Sequence, residues 1–152
     1  MRHLVSIALV GLLPVFGAAA LAKHAPTVTG TWHEVDYRVP ASSHSAQRLE
    51  KMLKARLKSF RLTLKADKTF SMTDGTGGGS TLGKWHLSNH AVLLDVESFN
   101  GMSLAQLKAK VGKDQRTWTM IQRNIHQTAK LGADGKTMSL THGIGYMTLS
   151  KA

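Results

Sequence analysis

The sequence predicts a mainly β protein, a small antiparallel meander barrel of about eight strands. One amphipathic helix is inserted after the first strand, and a second short helix follows later. Three observations carry this. "FRLTLKADKTFSMTDG", residues 60–75, alternates apolar and polar residues on both sides of an Ala-Asp-Lys-Thr turn, and "AKLGADGKTMSLTHG", residues 129–143, nearly repeats it. The hydrophobic period changes from two to 3.6 in only two stretches. Short strands otherwise follow one another with turn residues between them, a spacing that suits a sheet closing on itself and losing its exposed edges.

The chain opens with a basic start, Met1-Arg2-His3, an apolar run "LVSIALVGLLPVF", and small residues ending in Ala20-Leu21-Ala22. This is the pattern of a cleaved export signal, so residues 1–22 are expected to be signal and 23–152 the barrel domain. Gly11, Pro14 and Gly17 interrupt the run, which is shorter than the ~20 apolar residues that span a bilayer. Cysteine is absent, which excludes disulfides, thiol catalysis, cysteine-bound metals and a lipidated cysteine anchor. A free, soluble, exported monomer is expected, periplasmic or secreted. The 20 Lys and Arg against nine Asp and Glu give a net charge of +11. Such a surface attracts anionic polymers and membranes within about a Debye length, ~8 Å at physiological salt.

"GTWHEVDYRV" reads as the first strand, with Val35, Tyr37 and Val39 on one face and Trp32 out of parity, so the strand is bulged or Trp32 plugs one end. From Ala46 to Ser59 a helix is expected, with Leu49, Met52, Leu53, Leu57 and then Phe60 on one face and Arg48, Lys51, Lys54, Arg56 and Lys58 around the rest. Strands resume at Leu62 and Leu64, turn at Asp67-Lys68, and continue through Phe70 and Met72. The Gly-rich "DGTGGGST" leads to "LGKWHL", a turn at Ser88-Asn89-His90, and "AVLLDVE". "SLAQLKAKVG" carries a capping box, Ser103 with Gln106, and Gly112 as a stop, which predicts the second helix. "RTWTMIQ", "IHQTAKL", "KTMSL" and "YMTLSK" read as four closing strands, with no further helix.

The motifs GTW, LTLKADKTF, GKWHLSNHAVLL and DGKTMSL together resemble small lipocalin-like domains of exported bacterial proteins. The resemblance covers nearly all of the chain after the leader and implies a calycin-type barrel, without an activity. The inserted helix is also similar to the portal helices of fatty-acid-binding proteins. "GIGYMTLSKA", however, lacks the Arg-x-Tyr with which those carriers grip a carboxylate, so carboxylate specificity is not implied. Lys68 stands where the lipocalin-like domains usually have Gly, whereas Gly135 keeps that residue in the second copy. If the turn needs positive φ, Lys68 costs on the order of 1 kcal/mol. Arg123 is a candidate for the arginine that packs on the tryptophan in true lipocalins.

No motif points to catalysis. Gly78 to Lys84 matches G-x-x-x-x-G-K, but Trp85 stands where a P-loop needs Ser or Thr, and a strand follows where a helix is required. His33, His86 and His90 lack metalloprotease spacing, and Met72, Met120, Met138 and Met147 occupy apolar strand positions where Met is a core filler. No metal and no cofactor are therefore expected. The nine carboxylates lie mostly on turns and strand ends, and there is no G-x-S-x-G. Nucleic-acid binding would need exposed aromatics among the basic residues, and the tryptophans look inward instead.

The reading is a non-enzymatic exported binding protein that takes a small apolar or amphipathic ligand inside the barrel. Trp32, Phe70, Met72, Trp85 and Trp118 would line or close the cavity, and Leu49, Leu53 and Leu57 would turn inward from a lid helix. The competing reading is a filled barrel that binds an anionic envelope polymer, membrane surface or acidic protein through Arg48, Lys51, Lys54 and Lys58. A trailing one is inhibition of a secreted enzyme through the loop Thr76 to Thr81.

Overall fold

Nine strands and three helices account for most of the chain in a computed structural model that describes residues 27–40, 44–74 and 79–152. The expected signal segment and the centre of the Gly-rich loop lie outside these residues. In order, the elements are β1 (Gly30–Arg38), α1 (His44–Leu57), β2 (Arg61–Leu64), β3 (Thr69–Thr73), β4 (Ser80–Ser88), β5 (Ala91–Phe99), β6 (Met102–Ser103), α2 (Leu104–Val111), α3 (Gln115–Gln122), β7 (His126–Leu131), β8 (Thr137–His142) and β9 (Gly145–Lys151). The sheet runs β4-β3-β2-β1-β9-β8-β7-β5-β6, and β4 also pairs with β5. That last pairing closes eight antiparallel strands into a barrel and leaves two-residue β6 as a ribbon beside β5.

Alternation builds the wall as expected. Leu62 and Leu64 of β2, Phe70 and Met72 of β3, and Val92, Leu94 and Val96 of β5 are buried, and their neighbours along each strand face outward or lie part-buried. Met138, Leu140, Met147 and Leu149 complete the opposite side. Each fully buried side chain of this kind contributes about 1.5–3 kcal/mol. Met72, Met138 and Met147 thus fill core positions, whereas Met120 is 60% exposed and lies on a helix.

The register of β1 settles its parity question in favour of a bulge. Its pairing with β9 shifts between Glu34 and Asp36, so Trp32 and Tyr37 both point inward while Val35 is 51% exposed. Val35 therefore does not share the buried face with Tyr37, contrary to expectation, because the extra residue is absorbed at Val35 itself.

The turns follow their chemistry. Lys68 has φ 68° and Gly135 φ 64°, so the two related hairpins both need a left-handed residue at this point. Asp67 accepts from the Thr69 amide and hydroxyl, and Asp134 accepts from the Lys136 and Thr137 amides and the Thr137 hydroxyl. Asn89 and His90, both at positive φ, make the two-residue turn between β4 and β5.

Two helices form where the sequence places them. Ser103 caps α2 with the complete capping box. In α1 the buried stripe is narrower than expected: Leu57 is buried, Leu53 packs on the core and Leu49 is half-buried, but Met52 is 50% exposed. The helix is pinned to β1 by polar contacts. Glu50 accepts from the Val39 amide at 2.9 Å, and Lys54 pairs with Asp36 at 2.9 Å and with Glu50 at 3.2 Å.

"RTWTMIQ" is helical, not a strand, so three strands rather than four close the barrel. Asp114 at the helix N-cap accepts from the Arg116 and Thr117 amides and, at 2.6 Å, from the Thr117 hydroxyl. This satisfies the first turn and outweighs the short alternation of Arg-Thr-Trp-Thr-Met. Trp118 consequently stands on α3, half-buried, and not on an inward-facing strand.

Candidate functional site

The strand register separates two ends of the barrel. At one end lie the turns Lys65–Thr69, Ser88–Ala91 and Gly132–Thr137 together with the start of β1 and the end of β9. At the other lie α1, α2, α3, the ends of β3 and β5, and the β8–β9 turn.

The turn end is shut. Trp32 is fully buried and donates from Nε1 to the Val28 carbonyl at 3.0 Å; Trp85 donates to the Lys65 carbonyl at 3.0 Å. Lys68 places Nζ 4.1 Å from the centre of the Trp85 ring, and Lys151 places Nζ 6.0 Å from that of Trp32. Lys151 thus occupies the place proposed for Arg123, which instead caps the C-terminus of α3 at the helical end. Phe70 belongs to the same packed interior.

The helical end holds a cleft of about 390 Å³. Met72, Phe99, Met120 and Ile121 form its apolar wall, and Thr81, Thr117, Asn124, Gln127 and His142 supply polar atoms, with Gly143 at the rim. From α3 and the residues after it come Thr117, Met120, Ile121 and Asn124. This is the i, i+3, i+4, i+7 face of one helical turn after another. Among the described residues no Lys, Arg, Asp or Glu lines this cleft. Of the five cavity candidates named from the sequence, Met72 alone lines it; Trp32, Phe70 and Trp85 are interior wall and Trp118 is not among its liners.

A side opening adjoins the cleft. β7 and β8 pair only through Ala129–Leu131 and Met138–Leu140, although β7 continues along β5 to His126 and β8 along β9 to His142. The two strands therefore diverge at the helical end, and a recess of about 610 Å³ fills the split, sharing Met120, Asn124, Gln127 and Gly143 with the cleft. A third recess of about 250 Å³ continues past Phe60, Asp74 and Asn100.

Some of the polar atoms of the cleft bond within the protein. Asn124 donates from Nδ2 to the Met120 carbonyl at 2.8 Å, and Gln127 donates from Nε2 to the Asn124 carbonyl at 3.0 Å. Gln127 Oε1 is buried and has no hydrogen-bond partner among the described residues. The His142 ring meets Phe60 edge-on at 5.7 Å, and its backbone carbonyl accepts from the Tyr37 hydroxyl at 2.9 Å. Burial holds its imidazole below the usual range, with the Asp74 carboxylate pulling the other way. Residues such as Phe99, Ile121, Gln127 and His142 were not singled out from the sequence. The helical spacing after Asp114 was the one signal that pointed to part of them.

His126 and His86 approach Asp95 at 2.7 and 3.6 Å on the outer wall. Among the described residues no group of three His, Cys, Asp or Glu side chains is arranged to hold a metal ion, and no helix is long and apolar enough to cross a membrane.

Charge is concentrated at the helical end. Residues 44–61 carry six Lys and Arg against Glu50, and residues 104–123 five against Asp114. Arg48, Lys51 and Lys58 are exposed, whereas Lys54 is tied to Asp36 and Glu50.

An eight-stranded closed meander with its first helix after β1 is a lipocalin-like barrel, as the sequence motifs imply. No protein-family model matches the chain, and no curated protein matches it. Among solved structures it is similar to a DUF4847 family protein from Bacteroides vulgatus ATCC 8482 (16% identity, 81% of this chain and 92% of that one, TM-score 0.45). Two others are an uncharacterized protein from Bacteroides eggerthii DSM 20697 (14%, 82% and 99%, 0.49) and a lipocalin-like protein from Bacteroides uniformis ATCC 8492 (12%, 82% and 98%, 0.46).

Proposed function

We propose that the protein is an exported, non-enzymatic binding protein that holds a small apolar or amphipathic molecule in the cleft at the helical end. The observation that carries this is the cleft of about 390 Å³ beside α3, whose described lining has no Lys, Arg, Asp or Glu, set against a barrel interior packed with its own side chains. Small-molecule sites typically combine such an apolar wall with a few convergent polar groups. The seat therefore lies at the barrel mouth, with Met72 as its floor and Trp32 and Trp85 closing the far end. Native mass spectrometry of protein purified from an exporting host tests this reading. A reproducible small-molecule adduct that survives 0.5 M salt is expected; an adduct-free chain that also takes up no added amphiphile would contradict it.

The density of cations on the helical segments favours a second reading, docking on an anionic membrane surface or envelope polymer through Arg48, Lys51 and Lys58. Binding of that kind is screened by salt, so association with anionic vesicles that persists unchanged at 0.5 M salt would count against it.

A further inference from the structure

Of the seven large apolar side chains exposed among the described residues, the three most exposed surround the split between β7 and β8. Met120 of α3 and Ile144 of the β8–β9 turn line its recess, and Tyr146 stands on the outer wall opposite Thr141, another of its liners. Cations share this face. Arg116, Met120 and Arg123 follow one another at i, i+4 and i+7, and Arg123 keeps helical dihedrals as the C-cap, so one stripe of α3 sets an apolar side chain between two guanidinium groups. All three are exposed, and Arg123 lines the recess beside Met120. Among the described residues no Asp or Glu lines that recess, and Asp95 on the neighbouring wall is bonded to His126 at 2.7 Å. On α1, by contrast, Met52 is the one large apolar side chain exposed among the cations.

We infer that this face, the outer stripe of α3 with the β8–β9 turn, docks on an anionic lipid bilayer. Met120 and Ile144 enter the boundary between headgroups and acyl chains, Tyr146 lies at headgroup level, and Arg116 and Arg123 meet lipid phosphates. The inference rests on the reading of a cationic docking surface; it commits that surface to lipid and moves the apolar contact from α1 to α3. Exposed apolar side chains gain by leaving water for the acyl boundary, and neighbouring Arg adds attraction to anionic headgroups. Tyrosine suits the interface because its ring is apolar and its hydroxyl polar. A hydrophilic polymer would leave Met120 and Ile144 in water, and a second copy would bring another chain of net charge +11 against this one. Met120 lines the cleft as well as the recess, so docking here sets the cleft at the lipid surface.

Cysteine is absent from the chain, so one introduced cysteine takes one label. Ile144→Cys carrying the environment-sensitive fluorophore NBD is mixed with vesicles of equal parts phosphatidylglycerol and phosphatidylcholine. Its emission is expected to brighten and move to shorter wavelength, and spin labels on the acyl chains should quench it. The same label at Ala66→Cys, in a turn at the opposite end of the barrel, should not respond. In co-sedimentation of unlabelled protein, Met120→Ser combined with Ile144→Ser should weaken vesicle binding about tenfold, the worth of ~60 Å² of apolar surface. Vesicle binding with no response at 144, or with a response only from Met52→Cys on α1, overturns the inference and leaves docking through Arg48, Lys51 and Lys58 standing. A chain that does not co-sediment with these vesicles overturns both the inference and lipid docking through α1. A signal at 144 that needs no vesicles and grows with protein concentration assigns the face to a second copy and also overturns the inference.

Discussion

The two ends of the barrel are built from the same strands and do opposite things. At the turn end, three tight turns draw the strands together, and two indoles plug the space with their N–H groups satisfied by backbone carbonyls. At the helical end, of the eight barrel strands only β8 and β9 are joined by a tight turn, the other connections are long, β7 and β8 separate, and among the described residues an acceptor is left without a donor. Tight turns close one end; at the other, the cleft lies among the long connections and beside the tight turn between β8 and β9. Loops carried on a rigid scaffold commonly hold the function.

Substitutions at the two ends should therefore separate stability from binding. Trp85→Ala, which removes a buried ring and its bond to the Lys65 carbonyl, is expected to cost about 3–5 kcal/mol in urea unfolding. Met120→Gln at the exposed edge of the cleft is expected to stay within about 0.5 kcal/mol of the parent and to weaken ligand binding instead. Comparable losses of stability at both sites would erase the distinction.

A finer comparison lies within the turn end, between the two related hairpins. Gly135→Lys puts a side chain at φ 64° and should cost about 1 kcal/mol. Lys68→Gly relieves the same strain at φ 68° but removes the ammonium 4.1 Å from Trp85, a contact of about 0.5–1 kcal/mol. The two effects oppose, and the melting temperature should hardly move. A large gain on Lys68→Gly would mean that the cation over Trp85 contributes nothing.

The smallest effect concerns His142 at the helical end. Its lowered pKa means that the native state binds fewer protons than the unfolded state, so stability is lost as pH falls through about 6.5 toward the lower folded value. His142→Phe removes that titration. The melting temperature of the variant relative to the parent should rise between pH 8 and pH 5, and a constant difference would assign the pH response elsewhere.

These contrasts explain what could be read from the sequence. The hairpins were legible because their signals are local: alternation, an Asp two or three residues before a Thr, and a turn position with positive φ. The bulge in β1 showed as the parity conflict between Trp32 and Tyr37, although the outward turn of Val35 did not follow from it. The helix α3 was hidden because Arg-Thr-Trp-Thr-Met alternates like a strand, while its start depends on a single residue, Asp114. The cleft was almost wholly illegible. Its wall joins β3, β4, β5, α3, β7 and β8, and no stretch of sequence announces which apolar residues will be left facing a gap rather than one another. Met72 was found because it was buried, and Phe99, Ile121 and Gln127 were passed over because nothing near them in the chain marks a site.

Methionine methyl resonances offer the most direct test that ligand sits at the helical end. Met72 and Met120 line the cleft, whereas Met138 and Met147 are enclosed in the barrel wall. Titrating methyl-labelled protein with a neutral amphiphile should shift the signals of Met72 and Met120 and leave those of Met138 and Met147 in place. Shifts centred on Met138 and Met147, with Met72 and Met120 unmoved, would place the ligand in the barrel interior and contradict this account.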